Sequence, residues 1–150
     1  MFAEMMEFSF EDGDKLTEIF PADEIKDYRK AYSGNCYDLA CELQSRLFAS
    51  GIISSVLTFK NGNAFNPDGF VVKDELSGVY NTYTHHSVVM LGDCVIDMFH
   101  SDNLLSTSKY VKDLLELNDK LKVSQPMSGI WWDKNGLEFQ MSVEYLVGLG

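Results

Sequence analysis

Apolar residues between positions 35 and 51 fall on a single helical stripe. Cys36, Ala40, Leu43 and Leu47 stand at i, i+4, i+7 and i+11, the spacing that lines up one face of an α-helix. Leu39 widens that face, while Asp38, Glu42 and Arg46 lie off it. Asn35 is a suitable N-cap, Asp38 places an acid in the first turn, and Ser50-Gly51 ends the element. This is the clearest element in the chain.

Elsewhere the period changes. A short helical segment over 15–20 stops at Pro21, and Asp23 is read as the cap of a helix running to Tyr32. Ile52 to Phe59 reads as a strand, Phe70 to Val72 as a short one, and 74–81 as a turn region. Tyr83 to Leu91 reads as one strong strand, turned at Gly92-Asp93 into a return strand from Cys94 to Phe99. Leu104 to Leu121 is partly helical, with Tyr110, Leu114 and Leu117 on one face. A second hairpin is expected from 130–132 and 137–141, around Asp133-Lys-Asn-Gly136; Met141–Leu149 is left open between a strand and a helix. Helices first and an antiparallel sheet after them predict one α+β domain over 1–150, with the helices gathered on one side of the sheet.

Composition narrows the function classes. Twelve basic against 23 acidic residues give a net charge of −11, a field that repels phosphate backbones and argues against nucleic acid as a partner. A basic protein partner, or solubility alone, suits it better. The longest apolar runs are too short to cross a bilayer, and the acids near Met1 do not suit a secretory signal. The expected setting is a cytosol, either the producing cell's own or one reached by a signal-less route, with no membrane partner. Cys36, Cys41 and Cys94 make no disulfide framework: Cys36 and Cys41, five apart on one helix, point about 140° apart. No C-x-x-C or H-x-x-x-H pair offers zinc-type spacing, so no metal or organic cofactor is expected.

The chemistry-bearing residues are few. A cysteine in the first turn of a helix meets unpaired N–H groups and the positive dipole end, which favour its thiolate. By itself such a cysteine is ordinarily a small core residue. Asp97 is harder to explain as packing, because a carboxylate inside Val95-Ile-Asp-Met-Phe99 needs a partner. The hairpin brings the start of one strand beside the end of the other, and with it His85-His86. His85 and His86 face opposite sides of a regular strand, and a bulge would exchange them. His100 is read as a polar strand end, and Cys41 and Cys94 as inert core residues.

The stretches Gly34-Asn-Cys-Tyr-Asp-Leu-Ala40 and His86-Ser-Val-Val-Met-Leu-Gly-Asp-Cys-Val-Ile-Asp97 resemble papain-like and transglutaminase-like cysteine hydrolases. The nearest resemblance is to short bacterial papain-fold toxin and effector domains, several of which deamidate or cleave glutamine side chains. The resemblance spans roughly residues 33–100. It implies Cys36 as nucleophile, His86 as general base, preferred over His85 by its eleven-residue step to the acid, and Asp97 as orienting acid. The glutamine that peptidases of this group carry ahead of the nucleophile is missing, since no Gln precedes Gln44. Asn35 or the backbone N–H of Cys36 would take its place, and Tyr37 and Trp131 are further candidates for oxyanion or substrate contacts. The implied reaction is cleavage or transfer at a carboxamide or acyl bond of a protein or peptide, basic if the charge guides it. The competing reading is a non-catalytic acidic inhibitor, immunity protein or decoy on the same fold.

Overall fold

The computed structural model describes residues 10–61, 69–118, 121–124 and 131–132; the expected strand at 137–141 and the segment 141–149 lie outside them. Among the described residues, three α-helices and a mainly antiparallel β-structure form a mixed α+β fold. No helix among them is long and apolar enough to cross a membrane.

A 3-10 turn at Leu16–Glu18 precedes helix α1, Ala22–Ala31. Pro21, not Asp23, holds the N-cap position: its fixed φ suits a helix entrance, and its carbonyl accepts the first helical bond from the Ile25 N–H at 3.0 Å. Asp23 sits within the first turn, beside Glu24, where acids complement the dipole. Helix α2 is Cys36–Ala49; Asn35 holds the N-cap position expected from the sequence, but its side chain makes no capping bond. Gly34, at φ +79°, turns the chain into that cap in a conformation other residues resist.

Strands β1 (Ser55–Asn61), β4 (His85–Leu91), β5 (Cys94–Ile96), β6 (Leu105–Ser106), β7 (Leu121–Ser124) and β8 (Trp131–Trp132) form one sheet in the order β6-β5-β4-β1-β7-β8. All of its pairings are antiparallel. Strands β2 (Phe70–Lys73) and β3 (Tyr80–Tyr83) make a separate two-stranded hairpin. The expected single strand from Tyr83 to Leu91 is thus two strands in different sheets. Tyr83 pairs with Phe70, a bend at Thr84 intervenes, and His85 starts the run paired with β1. The return strand ends at Ile96 rather than Phe99, because the Asp97 carbonyl accepts the N–H groups of His100 and Ser101 and curls the chain into a turn.

Alternation along β4 divides the core. Val89 and Leu91 pack with Leu39, Ala40, Leu43 and Leu47 of α2 and Ile25 and Tyr28 of α1. Val88 packs on the other side with Tyr110, Val111, Leu114 and Leu115 of helix α3, Thr107–Leu117, and with Phe70 and Val72 of β2. Helices therefore cover both faces, not one. Leu117 is 46 % exposed rather than part of the buried stripe: α3 buries 110/111/114/115 and ends at 117. On this frame His86 shares the parity of Val88, placing it on the α3 side.

Candidate active site

The site lies where β5 stops covering β4. Their pairing runs only from Val89 to Leu91, and over His85–Ser87 the start of α2 comes to the strand instead. The Cys36 thiol lies 3.9 Å from the His85 carbonyl oxygen, a long, weak donor contact. The backbone N–H groups of Ser87 and Tyr37 act on the same sulfur. Cys36 is half-buried.

His86 is completely buried on the strand that Cys36 abuts. Its Nε2 is 3.0 Å from Oδ2 of Asp97, itself buried just past the end of β5. Two further groups surround the same carboxylate. His100 brings Nδ1 to 2.8 Å from both oxygens, and the Tyr110 hydroxyl donates to Oδ2 at 2.6 Å. An ionised carboxylate only accepts, so both imidazoles present N–H to it. That assignment leaves Nδ1 as the basic nitrogen of neutral His86. This atom is buried and has no hydrogen-bond partner, and Cys36 is the thiol close enough to act on the ring electrostatically.

Electrostatics follow the contacts. Burial works against a charge on His86, but the Asp97 charge and hydrogen bond, with a smaller part from Cys36, push its pKa up to about 9. Burial likewise opposes ionisation of Asp97, yet the His86 charge and the His100 hydrogen bond hold it well below the usual carboxylate range. Burial raises the Cys36 thiol, but the neighbouring His86 and the two backbone N–H groups outweigh it, and its pKa is lowered. Burial and the nearby Asp97 drive Tyr110 well above the ordinary phenol value, so it remains a donor. The centre thus favours thiolate and imidazolium together.

The structure brings Cys36, His86 and Asp97 together. His85 is exposed, and the ring partnered with the acid is that of His86. Asn35 and Tyr37 flank the thiol: both are exposed, Tyr37 at 58 %, and the Asn35 side chain does not cap its helix. The backbone at Trp131 forms strand β8, and its side chain lies outside the described residues. Cys94 is buried, its thiol 3.3 Å from the Phe10 carbonyl and its pKa raised by burial and neighbouring acids. Cys41 is half-buried on α2.

His100 is not a polar strand end. It is 1 % exposed, and its Nε2 meets the Tyr83 hydroxyl at 2.8 Å. The Tyr83 ring lies over His86, with centroids 4.7 Å apart and planes 33° apart. The available signal for His100 was its i+3 spacing from Asp97, which a turn closes and a strand does not. Tyr83 and Tyr110 left none, because their partners are set by tertiary packing.

No protein-family model, curated protein or solved structure matches this chain.

Proposed function

We propose that the protein is a cysteine-dependent hydrolase or acyl transferase on a papain-like or transglutaminase-like core, acting on a carboxamide or acyl bond through Cys36, His86 and Asp97. One observation carries this reading: the buried His86 commits Nε2 to a carboxylate and leaves Nδ1 without a hydrogen-bond partner, on the strand that the thiol at the start of α2 abuts. A buried histidine serving only to neutralise Asp97 has no reason to be joined by a half-exposed cysteine of lowered pKa.

In this mechanism the Cys36 thiolate attacks the carbonyl carbon, and the electron pair of the C=O bond moves to oxygen. Free N–H groups at the start of α2 are suitably typed to stabilise that oxyanion. Collapse of the adduct expels the amine or ammonia, which takes its proton from the His86 imidazolium and leaves an acyl-thioester on Cys36. Neutral His86 then takes a proton from water, or from an acceptor amine, as it attacks the thioester, and thiolate leaves. Asp97 keeps the ring in the required tautomer and stabilises its charge. Deamidation, peptide cleavage and transamidation share these steps.

An activated ester such as p-nitrophenyl acetate tests the proposal without knowledge of the natural substrate. Wild-type protein should release p-nitrophenolate in a burst and carry an acetyl group on Cys36 by peptide mapping. Cys36→Ala should show no burst. Acetylation that never localises to Cys36 would overturn the proposal.

A further inference from the structure

We propose that His100 is a positioning residue of this centre, locking Asp97 and Tyr83 around His86. The inference rests on the proposed function and extends it to a residue outside the nucleophile–base–acid set. His100 holds both neighbours at once: Nδ1 reaches both oxygens of Asp97 at 2.8 Å, and Nε2 meets the Tyr83 hydroxyl at 2.8 Å. Nδ1 donates to the carboxylate, and Nε2 shares a hydrogen bond with the Tyr83 hydroxyl. The result is a hydrogen-bonded chain from Tyr83 through His100 and Asp97 to His86.

Neutralising a buried acid does not require this arrangement. Asp97 already has the His86 ring and the Tyr110 hydroxyl. Tyr83, moreover, is only half-buried, yet its hydroxyl is directed to a fully buried imidazole. The geometry gives that bond a consequence at the base. It fixes the Tyr83 ring across His86 at 4.7 Å, while the His100 ring abuts His86 edge-on at 5.0 Å and 79°. His86 is thus confined by two rings and one carboxylate, all three joined through His100.

The same residue ties the β2–β3 hairpin to the sheet. The His100 carbonyl accepts the Glu75 N–H at 2.8 Å in the turn between the two strands, and its ring holds Tyr83 at the end of β3. Hairpin and catalytic core belong to separate sheets, so this double attachment sets the wall over His86. His100 acts through its neighbours and touches no reacting atom.

The test measures the iodoacetamide alkylation rate of Cys36 at neutral pH, beside thermal unfolding, in His100→Ala, His100→Asn, Tyr83→Phe and His86→Ala. His100→Ala should slow alkylation roughly 10-fold or more, as loss of an orienting outer partner does elsewhere. His100→Asn, whose amide nitrogen can take the place of Nδ1, should recover most of that loss. Tyr83→Phe should slow alkylation by about 2- to 10-fold, the range for one hydrogen bond. A folded His100→Ala protein with the wild-type rate, while His86→Ala is slow, overturns the role of His100 and leaves the triad standing. A wild-type rate in His86→Ala overturns the triad itself. If His100→Ala does not fold, Tyr83→Phe decides, and an unchanged rate there overturns the proposal.

Discussion

Replacing Asp97 by Asn changes one atom and disturbs three partners. The carboxylate accepts from His86 Nε2, His100 Nδ1 and the Tyr110 hydroxyl, all within a buried pocket. An amide offers one acceptor oxygen and turns an NH2 group toward at least one of those donors. Relief comes at the cost of the base if His86 switches tautomer: Nε2 then accepts from the new amide, and Nδ1, now protonated, can no longer take a proton. Hydrogen bonds to a charged group contribute roughly 1.5–3 kcal/mol each, and a buried unsatisfied donor costs about 1–3 kcal/mol. Partial rearrangement leaves a destabilisation of about 2–4 kcal/mol, or a fall in Tm of roughly 5–15 °C for a chain of this size. Turnover should drop by about 10² to 10⁴, as it does when a triad acid becomes an amide. Thermal unfolding and Cys36 alkylation, measured on the same sample, check both effects. The three donors mean that stability falls whether or not the centre is catalytic, so alkylation is the deciding readout. An Asp97→Asn protein that melts lower yet alkylates at the wild-type rate would refute the catalytic reasoning.

Three further outcomes are expected. Cys36→Ala should abolish ester turnover with a Tm change of a few degrees at most, since a half-buried residue at a helix start leaves little cavity; thermal melts beside the ester assay check it. Because Asp97 is held below its ordinary pKa, its stabilisation is present above about pH 4 and is lost as pH falls toward the folded value. Melts from pH 6 downward should therefore show a steeper acid loss in wild type than in Asp97→Asn, which has nothing to titrate there. Arg29→Ala should destabilise by about 1–2 kcal/mol: Arg29 bonds the Met98 carbonyl at 2.6 Å and Asp102 at 2.6 Å, holding α1 against the turn that carries His100. Chemical denaturation measures that loss.

How far the site was legible depends on how local its determinants are. Helix α2 and its bounds could be read because Cys36 to Leu47 carry a period of one face and Asn35 and Gly51 punctuate it. The β4–β5 turn could be read from Gly92-Asp93, and with it the nearness of His86 to Asp97. The break at Thr84 could not. Tyr83 and His85 have equal claims to a strand by composition, and only pairing with Phe70 on one side and β1 on the other separates them. The exposure of Leu117 and the position of α3 on the far face depend on which residues of β4 meet which helix, a choice that helical spacing leaves open. His100 escaped because a run of apolar residues after Cys94 reads as a continuing strand. The Asp97 carbonyl instead captures two N–H groups and closes a turn, which brings His100 back onto the acid.

The central claim is that His86 makes Cys36 a nucleophile, and one measurement addresses it directly. Native protein is labelled with limiting iodoacetamide at pH 6.5 and the rate at each of Cys36, Cys41 and Cys94 is read by peptide mapping, in wild type and in His86→Ala. Wild-type Cys36 should react at least about 10-fold faster than either other cysteine, because its thiolate is favoured and that of Cys94 is not. His86→Ala should remove that advantage. A Cys36 that labels no faster than Cys41, or whose rate is unchanged without His86, would contradict the account.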